Sequence, residues 1–206
     1  FPILIIFVLG GISITWTNNH SMLNTGDFLF PINGVGEIRA ILSSWDKTSL
    51  GAINYLQLGF IIPYGLYLVF MYLIGFSSVY SQIFWNYLLL TSMGLSMYCL
   101  VTALMNNKRK NAEGLIAAVF FMFNPWVGQN IAMFFPYITF IPLLLALYIK
   151  GLNENKGIKY LVLFSLAWWF VLSFSLRNFR GFIFLWIMIM FYLLFFVLYN
   201  RTKVRR

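Results

Sequence analysis

The sequence predicts an all-α, polytopic bundle of transmembrane helices, and three observations predict it. Of the 206 residues, 61% are hydrophobic and only 9% are charged, against roughly 25% charge in soluble globular domains. The apolar residues fall in runs close to the length of about 20 that a membrane-crossing helix needs. Ten of the fourteen Lys and Arg gather in residues 108–110, 150–159 and 201–206, at the ends of those runs. That placement follows the positive-inside bias and the attraction of basic groups to anionic lipid. Nucleic acid binding requires the cations on one accessible face, so the net charge of +9 predicts a membrane protein with no nucleic acid partner.

Taken in order, residues 1–16 form a slightly short first span, and 17–57 form a polar loop. Residues 60–75 are apolar but short, bounded by Gly59 and Gly75, with Pro63 and Gly65 in the first turns. This segment reads either as a span or as a juxtamembrane or re-entrant helix, tolerated where protein covers its backbone. The next span, 82–105, ends in Asn106-Asn107-Lys108-Arg109-Lys110. The span over 110–124 stops at Asn124-Pro125, because the residue before proline disfavours the helical region, and snorkelling lysine stems extend it toward full length. Residues 131–149 follow, with Pro136 and Pro142 inside. The span 160–176 is bounded by Arg177 and Arg180, and 181–199 is the last.

The chain opens inside an apolar run without an initiator Met, a basic n-region or a small-residue cleavage site, so no signal peptide is expected. Residues 1–206 are expected to be one transmembrane domain, a fragment of a longer protein. Cys99, the one cysteine, permits no internal disulfide and reads as a small buried hydrophobe. The three basic loops are expected on the cytoplasmic side. Charge does not fix the side of the 17–57 loop, since Arg39 and Lys47 lie far from the helix ends that weigh most. A crossing 60–75 segment puts the loop inside, and a non-crossing one outside.

Chemistry is expected in that loop, which holds three of the five acidic residues in Thr25-Gly26-Asp27-Phe28-Leu29-Phe30-Pro31 and in the run from Gly36 to Asp46. Ile38, Ile41, Leu42 and Trp45 recur with the spacing of one helical face. They predict an amphipathic helix at the membrane surface, with Trp45 at head-group depth and Glu37, Arg39 and Asp46 on its wet side. Asp27 stands among Phe28, Leu29 and Phe30, where apolar surroundings raise a carboxylate pKa toward that of a general base. The same residue also fits an N-cap or a partner for Arg39. Asp46, beside Lys47, is the second candidate base. Arg177 and Arg180 suit a donor phosphate, which arginine can hold bidentately, and equally suit snorkelling anchors. His20 reads as a solvated loop residue, and Trp168-Trp169 as packing. No Cys/His spacing for a metal and no phosphate loop is present in the sequence; Gly34 and Gly36 do not make one.

The ordered set formed by a short first span, Gly26-Asp27 early in a loop, Ser44-Trp45-Asp46 closing an amphipathic helix, Gly51, Asn54, Pro63-Tyr64-Gly65-Leu66 and the Phe123-Asn124-Pro125 break resembles the N-terminal part of GT-C glycosyltransferases. Over residues 20–150 it is most similar to the large arabinofuranosyltransferases of cell-wall arabinan assembly. The resemblance implies a GT-C-like bundle whose first loop is external and carries the catalytic carboxylate, with Asp27 in that role. It implies a polyprenyl-phosphate sugar donor and a glycan acceptor, and makes the stretch 17–81 an external loop with juxtamembrane elements. Paired acidic residues are missing both at the loop start and after Asn124-Pro125, which speaks against metal-dependent chemistry of the oligosaccharyltransferase kind. The expected function is inverting glycosyl transfer at the outer face of the cell membrane, without cofactor or metal. Asp27 and Asp46 are its catalytic candidates, and Arg39, Trp45, Arg177 and Arg180 its substrate-binding candidates. The rival reading is a transporter or lipid flippase fragment whose proline-broken helices and intramembrane arginines line a path.

Overall fold

The computed structural model describes residues 1–17, 64–105, 109–125, 136–153, 157–175 and 179–204, together with Val35, Gly36 and Arg39. Every regular element among the described residues is helical. Helix α1, Pro2–Gly10, continues into a 3-10 helix, Gly11–Trp16; Pro2 suits the first turn, where its missing N–H has no helical partner to lose. Helix α2, Leu66–Leu73, is followed by α3, Ser78–Leu104, and α4, Lys110–Met122. The second half consists of α5, Pro136–Asn153, α6, Gly157–Ser175, and α7, Phe179–Val204. The segments expected near 1–16, 82–105, 110–124, 160–176 and 181–199 each coincide with helix; the one expected near 131–149 is described from Pro136.

At 27 residues, α3 is about 40 Å long, and among the described residues it is the one helix long and apolar enough to cross a membrane. Pro2–Trp16, Thr139–Asn153, Gly157–Trp168 and Leu185–Leu198 are shorter apolar helices. Helix α2 has eight residues, about 12 Å, well short of a hydrocarbon core about 30 Å thick. It ends in a Schellman turn, in which Gly75 N–H donates to the Tyr72 carbonyl and Phe76 N–H to that of Met71. Gly75 supplies the φ of +81° that this turn requires. The Ser77 side chain then caps α3, accepting from Tyr80 N–H.

Side-chain pairings give the directions. Along α1 and the 3-10 helix, Ile6 lies by Gly94, Gly10 by Thr91, and Ile14 near Phe84 and Tyr87, so this strand of chain runs antiparallel to α3. Helix α4 is also antiparallel, with Gly114 against Tyr98 and Thr102, and Met122 against Gly94. Ile6, Leu90, Met93, Ala118 and Met122 are fully buried in the core these helices share. Gly10 and Gly94 are the crossing points, where small residues let backbones approach without a side chain between them.

A second core joins Leu144 and Leu145 of α5, Val171 of α6, and Leu185 and Ile189 of α7. It meets the first where the Ser96 hydroxyl donates to the Thr139 carbonyl at 2.6 Å. That carbonyl lies one turn before Pro142, whose missing N–H disturbs the helix ladder there. Tyr148 faces Phe164 and Tyr192, and Trp168 faces Trp186. Helix α6 is thus antiparallel to α5, and α7 runs parallel to it.

The pairings divide the bundle into two ends. The C-terminal ends of α3 and α5 and the N-terminal ends of α4 and α6 lie together, and bring Arg109, Lys110, Lys150 and Lys159 to one end. Thr17 and Tyr64, which flank residues 18–63, lie toward the other.

Candidate functional site

At the end away from the lysines, α2 packs on the first turns of α3 through aromatic rings. Trp85 meets Tyr64 edge-on at 5.0 Å and Tyr67 at 4.9 Å between ring centroids. Tyr67 also stacks with Phe84, which stacks on Tyr87. The Tyr67 hydroxyl donates to the Ser81 carbonyl. Burial pushes this phenol above its ordinary range, so it stays a neutral donor. Beside this cluster runs a groove of about 380 Å³ between the 3-10 helix, α2 and α3, lined by Ile14, Phe70, Phe76, Tyr80, Phe84 and their apolar neighbours. Its floor follows from the sequence: Tyr80, Phe84 and Tyr87 are spaced four and three residues apart, one face of a helix.

A second face of the same half of α3 is polar and buried. Gln82 and Asn86 on it are each less than 5% exposed; Thr91, one turn beyond Tyr87 on the side of α3 that carries the aromatic rings, is equally buried, and Thr17 is 6% exposed. Among the described residues, Asn86 Nδ2, Thr91 Oγ1 and Thr17 Oγ1 have no hydrogen-bond partner, although leaving a buried polar group unpaired costs about 1–3 kcal/mol. Gln82 and Asn86, one helical turn apart inside an apolar run, were the sequence signal for this face. The aromatic spacing of Tyr80, Phe84 and Tyr87 was the signal for the groove; neither belongs to the site residues expected from the sequence.

Helices α4, α5, α6 and α7 reach this side of the bundle only partway. Met122, near the end of α4, is level with Gly94; Thr139, near the start of α5, is level with Ser96. Val171, near the end of α6, and Leu185, near the start of α7, pack against Leu144 and Leu145. The four helix ends therefore stand about 15 Å farther along α3 than Trp85. The described residues flanking 18–63, 126–135 and 176–178 all lie on the side away from the lysines.

Of the expected site residues, Asp27, Asp46, Trp45 and Arg177 lie outside the described residues, as do Glu37 and the rest of the expected amphipathic helix apart from Arg39. Arg39, like Val35 and Gly36, has helical backbone, and its side chain is exposed. Arg180 belongs to the first turn of α7. That turn is level with the middle of α3 near Ser96, deeper in the bundle than Thr17 and Tyr64. Among the described residues no group of three His, Cys, Asp or Glu is placed to hold a metal ion. Compared with protein-family models, characterised proteins and solved structures, the chain matches none.

Proposed function

We propose that the chain is the catalytic membrane domain of a multi-pass glycosyltransferase of GT-C type. It transfers a sugar, arabinofuranose by the sequence resemblance, from a polyprenyl phosphate to a glycan acceptor at the outer face of the cell membrane. The observation that carries this reading is a juxtaposition. The segment with three of the five carboxylates leaves the bundle at Thr17 and returns at Tyr64, on the side away from the lysines, next to an apolar aromatic groove of about 380 Å³. Such a groove suits an isoprenoid tail, and ligand sites generally pair an apolar lining with a few polar groups.

In the proposed reaction, Asp27 takes the proton from the acceptor hydroxyl as that oxygen attacks the anomeric carbon. The bond from this carbon to the phosphate oxygen breaks, polyprenyl phosphate leaves, and the configuration inverts. Arg177 and Arg180 hold the departing phosphate, and Arg39 and Trp45 contact donor or acceptor. Asp27 is preferred over Asp46 because Lys47 stabilises the charged form of Asp46 and makes it a weaker base. General-base removal costs about 10²–10⁴-fold in rate. Asp27→Asn in the complete protein should lose turnover by that order while expression and donor binding persist. Wild-type turnover in Asp27→Asn, with Asp46→Asn inactive, would move the base to Asp46. Full activity in both variants would end the assignment of the base to Asp27 or Asp46.

A further inference from the structure

At the opposite end of the bundle, α3, α4 and α5 enclose a second cavity, of about 670 Å³. Two lysines from different helices line it: Lys110, in the first turn of α4, and Lys150, in the last turn of α5. Asn111, Asn153, Tyr98 and Thr102 supply polar groups around them, and among the described residues no carboxylate lines the space. The Tyr98 hydroxyl donates to Asn111 Oδ1 at 3.0 Å, which engages the carbonyl side of that amide and leaves its NH₂ as a donor. Thr102 Oγ1 is within 2.9 Å of the Tyr98 carbonyl. The wall is close-set, because a Cβ on Gly114 would come within 2.9 Å of the Tyr98 ring. At its rim Leu104 and Met105 are exposed, so the polar space opens onto apolar helix surface.

Two ammonium groups and an amide NH₂ around a volume that no carboxylate lines among the described residues form a receptor for an anion. An apolar rim beside it suits acyl chains. We infer that this cavity binds the phosphate of an anionic phospholipid head group in the leaflet that borders the basic loops, with Lys110 and Lys150 as its counter-charges. The inference is independent of glycosyl transfer, because it concerns the end of the bundle remote from the carboxylate-bearing segment. It distinguishes a built site from diffuse attraction of basic loops to a membrane, since it assigns the affinity to two lysines rather than to net charge.

The test uses the complete protein in neutral detergent, with retained lipid counted by native mass spectrometry during titration. The probes are dioleoyl phosphatidylglycerol, dioleoyl phosphatidylcholine, glycerophosphoglycerol and inorganic phosphate. A lysine near a membrane contributes about 1 kcal/mol to anionic lipid binding, which is about a fivefold factor each and roughly thirtyfold for two. Lys110→Gln and Lys150→Gln should each weaken phosphatidylglycerol binding about fivefold, and together roughly thirtyfold, while the two arginine substitutions retain it. Phosphatidylcholine should bind weakly to all variants. Because Lys110 is exposed and Lys150 only half-buried, glutamine at these positions is compatible with the fold, and an unchanged melting temperature without lipid verifies it. Equal binding of the two lipids, or equal loss on Arg205→Gln with Arg206→Gln, would overturn the assignment in favour of general surface charge. Displacement of phosphatidylglycerol by glycerophosphoglycerol or inorganic phosphate at equal concentration would overturn it in favour of a soluble phosphate ligand.

Discussion

Replacing Gly94 by alanine should force α1 and α4 away from α3. The added Cβ would lie 2.7 Å from Ile6 Cγ2 and 3.2 Å from Met122 Cγ, and nearer still to Met122 Sδ. Carbon atoms rest about 3.5–4.0 Å apart, so Ile6 must retreat by about an ångström. Ile6 and Met122 are both fully buried. Overpacking of a filled core costs about 1–3 kcal/mol. In a chain of this size each kcal/mol lowers the melting temperature by roughly 2–4 °C, which gives a loss of roughly 2–12 °C. The assay is thermal unfolding in detergent, followed by tryptophan fluorescence. Met122→Ala alone leaves a cavity and should cost about 2–5 kcal/mol. In the double variant the new methyl occupies part of that cavity, so the combined loss should fall short of the sum by about 0.5–3 kcal/mol. A wild-type melting temperature for Gly94→Ala, or strict additivity in the pair, would refute the close approach of the three helices.

Three further outcomes are expected. Gly75→Ala places a side chain at a φ of +81° and should cost about 1–2 kcal/mol in the same melting assay; Gly75→Asn should cost less. Asn86→Leu removes a buried amide whose Nδ2 has no partner among the described residues, so stability should hold or rise by about 1 kcal/mol; a loss larger than that would make Asn86 a structural residue. In a Cys99→Ala background, Ser21→Cys should react with a membrane-impermeant maleimide on intact cells while Asn107→Cys does not; the reverse pattern would invert the proposed orientation.

The helices were legible in the sequence because their cause is local. Runs of apolar residues ended by Lys, Arg, Gly or Asn-Pro mark where a chain can satisfy its backbone only internally, and Asn124 illustrates the stop, its amide donating to the Phe121 carbonyl just before Pro125. Depth was not legible. Arg180 bounds an apolar segment in the sequence, and α7, whose first turn holds it, begins level with Ser96. That depth is set by the Ser96 to Thr139 hydrogen bond and the Leu144–Leu185 packing, which are contacts between residues 40 or more apart in sequence. Nor was the choice for residues 60–75 legible from hydropathy, since a short apolar segment satisfies either reading. The Schellman turn at Gly75, which folds α2 back on α3, is what favours a juxtamembrane element.

The transporter reading makes a different demand on the same bundle. A transporter must expose one site alternately to both ends, so the layer between the ends has to part during each cycle. In this chain that layer is made of Ile6, Leu90, Met93 and Met122 in one core and Leu144 and Leu185 in the other, all at most 1% exposed. The groove at the α2 end and the lysine-lined cavity at the other lie on opposite sides of it. Close helix contacts also fall there, at Gly10 and Gly94, where even one methyl group has no room. Close packing of this kind is costly to open, whereas a transfer between a lipid-linked donor and an acceptor at one membrane face leaves it shut. The arrangement therefore favours chemistry confined to one end. The carboxylates of residues 18–63 are joined to the bundle at that end, where the groove also lies together with the polar atoms of Thr17 and Asn86 that have no partner among the described residues.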